Sequence, residues 1–135
     1  MIYRIDVEVV APVHPTEAAD RVADAIRRLF PNAEVERREG EVLARTHSVD
    51  ALGEALARQR IREAARSRLL AAIDGDTIAF TLDKQAAAAG VANFGVEPPG
   101  ELGDLAVSIR VEQPDPARLV DWLTGEASDD EGVSP

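Results

Sequence analysis

Apolar and polar residues alternate in several short segments of the chain, which is the pattern typical of strands with one buried face. Five segments show it: Ile2 to Val10, Asn32 to Arg38, Glu41 to Thr46, Thr77 to Leu82 and Leu105 to Val111. Glu39-Gly40 is a plausible hairpin turn between the second and third segments. The alternation therefore predicts about five strands.

Apolar residues spaced three and four apart predict helices between these strands. Thr16 is expected to cap a first helix that ends before Pro31. Asp115 followed by Pro116 is typical of a helix start and opens the last one. A short helix is predicted from Asp83, as its cap, to Ala89, with Gly90 as the stop.

The segment from Val49 to Ala72, with Ser48 as its cap, has helical periodicity, but its apolar stripe changes face. Leu52 and Leu56 mark one face, whereas Ile61 and Leu69 lie roughly half a turn away at about 100° per residue. A straight helix packed on one surface would keep a single stripe. We therefore expect either a bend near Arg58 to Arg60 or two helices in succession.

This order of elements predicts an α+β fold of two layers, a mixed or antiparallel sheet of roughly five strands with helices mainly on one face. The 135 residues, 45% of them hydrophobic, suffice for one modest core. We predict a single domain at 1–125 and an acidic disordered tail at 126–135. No apolar run approaches the roughly 20 residues of a membrane span.

The charge is acidic and has an unusual make-up. The chain carries 15 basic and 25 acidic residues, for a net charge of -10, and Lys84 is its one lysine. Spread-out acidity with arginine in place of lysine favours a halophilic protein; the alternative is an ordinary acidic protein from a GC-rich genome. The net charge argues at first against a nucleic-acid partner.

Composition and motifs limit the chemistry. The absence of cysteine excludes disulfides and the usual cysteine-rich zinc sites. The first residues form a strand pattern instead of a secretory leader, so the expected compartment is the cytoplasm. His14 lies in a proline loop, where a solvated side chain is expected, and His47 could pair with Asp50 but has no obvious nucleophile beside it. No phosphate-binding glycine loop is present either. We predict no catalytic residues, no metal and no cofactor.

Basic residues concentrate in one segment, 58–68, which contains five arginines and one acid. Its local charge is +4, which leaves -14 for the rest of the chain. Arg58, Arg62 and Arg66 would form one row on a helix, and guanidinium groups suit phosphate oxygens. The alternative is that the five pair with acids of this chain or of a second subunit. The five are Arg58, Arg60, Arg62, Arg66 and Arg68.

A second group of candidate contacts begins at Lys84-Gln85. The lysine lies at a predicted helix start, where backbone N–H groups favour anions, although one lysine could also be there by chance. Asn93 and Phe94 follow in the next loop, where Phe94 could stack on a base but is more often a core residue.

Several of these segments together form a pattern: Gln59-Arg60-Ile61, Ala65-Arg66, Leu69, Leu82 to Ala87, Gly90, Asn93-Phe94 and Leu102-Gly103. The pattern resembles that of an archaeal family of unknown function that is labelled RNA-binding, over most of the chain to about residue 124. The resemblance implies a small α+β fold similar to the large-subunit ribosomal protein that holds 5S ribosomal RNA. Asp83 stands where the pattern leads us to expect Asn, and Ala88 and Ala89 are smaller than expected.

We therefore predict a non-catalytic RNA-binding protein, with ribosomal RNA as one possible partner. Arg58, Arg62 and Arg66 would hold phosphates, flanked by Arg60 and Arg68. Lys84 and Gln85 would contact backbone or base edges. The alternative is a protein-interaction or homodimerisation module whose arginine-rich helix meets an acidic partner. A third alternative, an accessory to nucleotide or cofactor metabolism, has no motif to support it.

Overall fold

The computed structural model describes residues 2–94 and 103–125, and in this part of the chain an antiparallel sheet packs against helices. The strands are β1 (Arg4–Pro12), β2 (Glu34–Arg38), β3 (Glu41–Thr46), β4 (Ile73–Asp74), β5 (Thr77–Asp83) and β6 (Asp104–Gln113). The helices are α1 (Ala19–Leu29), α2 (Asp50–Gln59), α3 (Arg62–Ala71), α4 (Lys84–Ala88) and α5 (Pro116–Leu123). The sheet order is β2-β3-β1-β6-β5-β4. The α+β prediction is confirmed.

The core lies on one face of this sheet because the central strands alternate strictly. In β1, Ile5, Val7 and Val9 are buried, while Asp6 and Glu8 lie on the opposite face. Strand β6 shows the same alternation, with Leu105, Val107, Ile109 and Val111 buried. The registered pairing of β1 with β6 joins the two inward rows into one apolar surface, which the helices cover.

The sheet has six strands among the described residues, where the sequence predicted about five. The additional strand is β4, whose two residues pair with β5 across a tight turn at Gly75. Two residues are too few to show alternation, which is why the hydrophobic pattern missed this strand. The predicted tail at 126–135 and most of the predicted loop at 95–103 lie outside the described residues.

The predicted helix caps were right in two cases and wrong in two. Asp83 and Asp115 each cap a helix through a side-chain oxygen that accepts a backbone N–H, at 2.8 and 2.9 Å. Ser48 is not the cap of α2, because the capping residue is Val49, although the Ser48 hydroxyl accepts the Asp50 N–H at 3.2 Å. Thr16 is not a cap, because α1 begins at Ala19 and its capping residue is Ala18.

The long helical segment is two helices, α2 and α3, which confirms one of the two predicted alternatives. Arg60 has left-handed backbone angles, φ 59° and ψ 40°. Its N–H donates to the Ala57 carbonyl at 3.1 Å, and the Ile61 N–H donates to the Leu56 carbonyl at 3.1 Å. These two bonds form a Schellman motif, in which glycine usually occupies the position of Arg60. The chain therefore turns between two apolar faces that a straight helix could not bury together.

Candidate nucleic-acid interface

The break between α2 and α3 divides the predicted row of arginines. Arg58 lies in the last turn of α2, while Arg62 and Arg66 share one face of α3. Arg68 lies about 200° around the helix from Arg66 because the two are two residues apart. The prediction of one continuous row through Arg58, Arg62 and Arg66 is therefore wrong, since Arg60 redirects the backbone inside it.

The end of α2 instead joins the segment that follows α4. The Gln59 side chain donates from Nε2 to the Ala92 carbonyl and accepts the Ala92 N–H at Oε1, both at 2.8 Å. The Arg58 Nη2 donates to the Gly90 carbonyl at 3.4 Å. These bonds tie residues 90–92 to the C-terminus of α2. Two separated parts of the sequence pattern thus become neighbours in space.

We call this surface the arginine corner and define it as Arg58, Arg60 and residues 90–93. Arg58, Arg60, Val91 and Asn93 are exposed there. The backbone behind them is fixed, because the Asn93 carbonyl accepts the Asp83 N–H at 2.7 Å. Phe94 is half-buried against Phe80, with ring centroids 5.8 Å apart, so packing accounts for its side chain. The corner is a firm surface that presents two guanidinium groups.

Ion pairing distinguishes the arginine-rich segment from the rest of the chain. Within 58–68 only Arg66 has a carboxylate oxygen of the described residues within 4.0 Å, that of Asp121, 3.0 Å from Nη2. Outside the segment, six of the nine arginines have such a partner: Arg27, Arg37, Arg38, Arg45, Arg110 and Arg118. Pairing with the acids of the described chain thus accounts for one of the five arginines.

Lys84 is the main correction to the predicted contacts. Its side chain is buried, and Nζ donates to the Glu17 Oε1 at 2.9 Å and to the Pro12 carbonyl at 2.5 Å. Glu17 Oε1 also accepts the backbone N–H of His14 at 3.0 Å. An ammonium group enclosed in this way does not reach an RNA on the surface. Gln85 is exposed beside it, and its predicted contact stays a prediction.

Two carboxyl groups near Lys84, those of Glu17 and Asp104, have pKa values that are shifted in opposite directions. Burial by itself raises the pKa of Glu17, but the hydrogen bonds from His14 and Lys84 outweigh it, so the net pKa is lowered. The pKa of Asp104 is raised by burial and by the charge of Asp83, its partner across β5 and β6, although Lys84 opposes the rise. The positive charge of Lys84 therefore compensates the negative charge of Glu17, whereas the repulsion between Asp83 and Asp104 is not fully compensated.

Arg62 faces a groove that the sequence did not predict. The groove has a volume of about 590 Å³ and lies among α2, α3, α5 and the chain before β1. Tyr3 and Trp122 form an aromatic wall with ring centroids 5.1 Å apart, and Asp50 and Glu54 of α2 also line the groove. Tyr3, the two acids of α2 and Trp122 are far apart in the chain, and no local motif connects them.

Two contacts fix the shape of this groove. The Tyr3 hydroxyl donates to Asp50 Oδ1 at 2.6 Å and accepts the Val49 N–H at 3.2 Å, and burial together with the bond to Asp50 raises the pKa of Tyr3. Arg62 lies against Gly125, where a Cβ would come within 2.5 Å of Nη1. The glycine is therefore required for the position of this guanidinium group.

The remaining candidates are the predicted histidine pair, a metal site and a membrane span. His47 Nδ1 lies 3.2 Å from Asp6 Oδ1, so its partner is Asp6 instead of the predicted Asp50. Across residues 2–94 and 103–125, no three histidine, aspartate or glutamate side chains are grouped to hold a metal ion. None of the helices in this part of the chain has the length and apolar character to span a membrane.

Comparison with known sequences supports a nucleic-acid role. Residues 6–112 match a family model described as RNA binding. The UPF0201 protein TK1335 of Thermococcus kodakarensis is 39% identical over 131 residues, which cover 92% of each chain. A UPF0200/UPF0201 protein of Archaeoglobus fulgidus is 36% identical over 126 residues, which are 93% of this chain but 39% of that protein. This chain thus corresponds to a minor part of the second relative.

Solved structures share the fold. An uncharacterized UPF0201 protein superposes with a TM-score of 0.82 at 36% identity, covering 88% of this chain and 92% of its own. The UPF0201 protein of Methanococcus jannaschii gives 0.81 at 32% identity, with the same coverage. The likeness to the ribosomal 5S-binding protein is not among these findings and stays a prediction. Relatives such as these come from heat-loving archaea, so the halophilic interpretation also stays a prediction.

Proposed function

This chain belongs to the archaeal UPF0201 proteins, and from that premise we propose that it binds RNA, without catalysing a reaction, through the arginine corner and α3. The observation that carries the proposal is the pairing difference among the arginines. Acids are abundant in the chain, yet Arg58, Arg60, Arg62 and Arg68 have no carboxylate within 4.0 Å among the described residues. Phosphate oxygens supply the bidentate acceptors that these guanidinium groups lack.

The geometry favours contact with an RNA backbone that bends around the corner. Arg58 and Arg60 lie at the end of α2, while Arg62 begins α3 in a different direction. Asn93 adds an amide that can donate to and accept from a base edge. Because single-stranded RNA can follow a turned surface and expose its bases, we propose loops or single strands as the target.

The acidic remainder of the chain restricts where RNA can bind. Unpaired acids elsewhere repel phosphates, so the local charge of +4 at 58–68 defines the attractive surface. Arg66 is held by Asp121 at 3.0 Å, which leaves it a supporting role in α3. The alternative from the sequence, an acidic protein or a second copy as the partner of the same arginines, stays a prediction.

The test is filter binding of a random 20-nucleotide RNA by the full chain at several salt concentrations. We expect Arg58→Ala/Arg60→Ala to lower the affinity at least tenfold. The slope of log affinity against log salt should fall by about 1.4, since each lost phosphate contact on a single strand contributes about 0.7. Binding that needs these two arginines would support the corner.

The matched control is Arg4→Ala/Arg28→Ala, which removes the same charge from two exposed arginines that also lack a carboxylate within 4.0 Å among the described residues. We expect this variant to bind within threefold of the parent protein. Equal losses in both variants would show that only net charge matters, and an absence of binding by the parent protein would refute the proposal.

A further inference from the structure

The groove lined by Tyr3, Trp122, Arg62, Asp50 and Glu54 has the chemistry of a site for one nucleotide. We propose that it binds a guanine base that carries a phosphate. The proposal rests on the proposed RNA binding and names the base that the protein would select. The volume of about 590 Å³ falls within the range of about 300–1,000 Å³ typical of small-ligand sites.

The aromatic wall supplies a stacking surface that is already ordered. Trp122 and Tyr3 are half-buried, and their rings meet at 57°. The hydroxyl of Tyr3 is held by Asp50 at 2.6 Å, so its ring stays in place. A base that enters the groove can therefore stack without first ordering its partners, which is how proteins hold unpaired RNA bases.

The carboxylate of Glu54 is the group that favours guanine. Glu54 is exposed, one turn after Asp50 on α2, and no donor among the described residues bonds to it. An ionised carboxylate only accepts hydrogen bonds. Guanine presents two adjacent N–H donors on its Watson–Crick edge, whereas adenine and cytosine place an acceptor nitrogen beside their amino group. Uracil offers one donor between two carbonyls, so guanine alone matches both carboxylate oxygens.

Arg62 supplies the complementary group for the phosphate. It lines the groove together with Asp50 and Glu54, yet no carboxylate of the described residues lies within 4.0 Å of it. Gly125 allows the guanidinium to lie against the backbone at the groove edge. The acids repel a phosphate and the arginine attracts it, so the charges fix the orientation of the nucleotide, with the base toward Glu54 and the phosphate toward Arg62.

The chain provides its own reporter, because Trp122 is its one tryptophan. We would titrate the full chain with GMP, AMP, CMP and UMP and follow tryptophan fluorescence, with calorimetry as a second readout. The expected result is saturable quenching by GMP with an affinity at least tenfold above that for AMP. Equal affinity for all four nucleotides, or no heat and no quenching with GMP, would overturn the proposal.

Variants distinguish recognition of the base from recognition of the phosphate. Glu54→Gln should abolish the preference for GMP over AMP, because an amide presents a donor to one of the two N–H groups. Arg62→Ala should lower the affinity for GMP about tenfold and leave the affinity for guanosine unchanged. Gly125→Ala should have the same effect, because it displaces Arg62. The controls are Glu63→Gln and Arg28→Ala, exposed residues that do not line the groove. A guanine preference that survives Glu54→Gln would also contradict the proposal.

A uridine 11-mer with one central guanosine distinguishes RNA from a free nucleotide as the source of the base. We expect it to bind tighter than GMP and to lose affinity in Arg58→Ala/Arg60→Ala, which should leave GMP binding unchanged. Binding of GMP without binding of the 11-mer would support the groove and refute the RNA proposal. Binding of the 11-mer and an all-uridine 11-mer with equal affinity would refute the groove alone.

Discussion

The arginine corner and the Lys84 site, which consists of Lys84, Glu17 and the Pro12 carbonyl, are two basic regions of one acidic chain, and their basic side chains have opposite surroundings. Arg58 and Arg60 are exposed without a carboxylate within 4.0 Å among the described residues. Lys84 is buried and bonded to Glu17 at 2.9 Å. The sequence suggested both as RNA contacts because charge is visible in sequence and exposure is not. The comparison shows that the position of the acids decides which basic residues stay available.

The Lys84 site also explains why one lysine is present among so many arginines. Its ammonium lies between one carbonyl and one carboxylate, at 2.5 and 2.9 Å. A compact charge on a flexible stem fits this enclosed position, whereas the planar guanidinium of arginine carries five donors that would need acceptors. The lysine therefore has a role that arginine cannot fill, but the role is in the fold instead of at an RNA surface.

The largest expected effect comes from removal of this buried charge. Lys84→Met should destabilise the protein by about 3 kcal/mol, because it leaves the carboxylate of Glu17 without its positive partner and the Pro12 carbonyl without a donor. Urea unfolding measures the change. RNA affinity of the folded variant should stay within twofold of the parent protein, in contrast to Arg58→Ala/Arg60→Ala. A loss of stability below 1 kcal/mol, or a tenfold loss of affinity, would contradict this division of roles.

The same pair predicts a dependence on pH. The pKa of Glu17 is lowered in the folded protein, so its contribution to stability is complete above the ordinary value of 4.5 and is lost as the pH falls through the folded value. The difference between Lys84→Met and the parent protein should therefore narrow below pH 4.5. As a control, Lys84→Met/Glu17→Leu should recover part of the lost stability because it removes the unpaired acid.

The next effect tests whether the hydrogen bonds of Gln59 hold the backbone of the arginine corner in place. Gln59→Ala removes both 2.8 Å bonds to Ala92 and should cost about 2 kcal/mol, about 1 kcal/mol for each bond. Hydrogen exchange at the Ala92 amide should accelerate, while exchange in β1 changes only as much as global stability does. Gln85→Ala, at an exposed glutamine, serves as the control and should change stability by less than about 0.5 kcal/mol.

Arg60 should show opposite effects on stability and on binding. Its left-handed conformation costs an arginine about 1–2 kcal/mol, so Arg60→Gly should stabilise the fold by about 1 kcal/mol once the greater freedom of glycine in the unfolded chain is included. RNA affinity should fall at the same time. Arg58→Gly is the control for stability, because glycine inside a helix should lower the free energy of unfolding by about 1 kcal/mol. Unchanged RNA affinity in Arg60→Gly would remove Arg60 from the interface.

These two regions also define what the sequence could predict. Alternation and helical spacing are local, so they located the strands of the core and the change of apolar face between Leu56 and Ile61. The contacts of Gln59 with Ala92, and of Lys84 with Glu17, join residues 33 and 67 positions apart. No periodicity records such pairings. The groove was missed for the same reason, because Tyr3, Glu54 and Trp122 meet only after the helices pack.

The smallest effect concerns the unbalanced acids beside Lys84. The pKa of Asp104 is raised in the folded protein, so its ionised form destabilises the fold at neutral pH. This loss of stability shrinks as the pH falls through the pKa of Asp104 in the folded protein, and it is absent below the ordinary pKa of 3.8. Asp104→Asn should therefore stabilise the protein by about 0.5 kcal/mol at pH 7, the size typical of a relieved cross-strand repulsion, and by nothing below pH 3.8. Urea unfolding at the two pH values measures the difference.

Asp83→Asn relieves the same repulsion from the other strand and keeps a capping side chain for α4, so it should give a similar gain at pH 7. Asp74→Asn, at an exposed aspartate of β4, is the control and should have little effect. If Asp104→Asn and Asp83→Asn are neutral, then Lys84 balances all three neighbouring acids. If both variants stabilise the protein, then the positive charge of Lys84 is neutralised by Glu17, and the Lys84 site has no net positive charge that could attract an RNA phosphate.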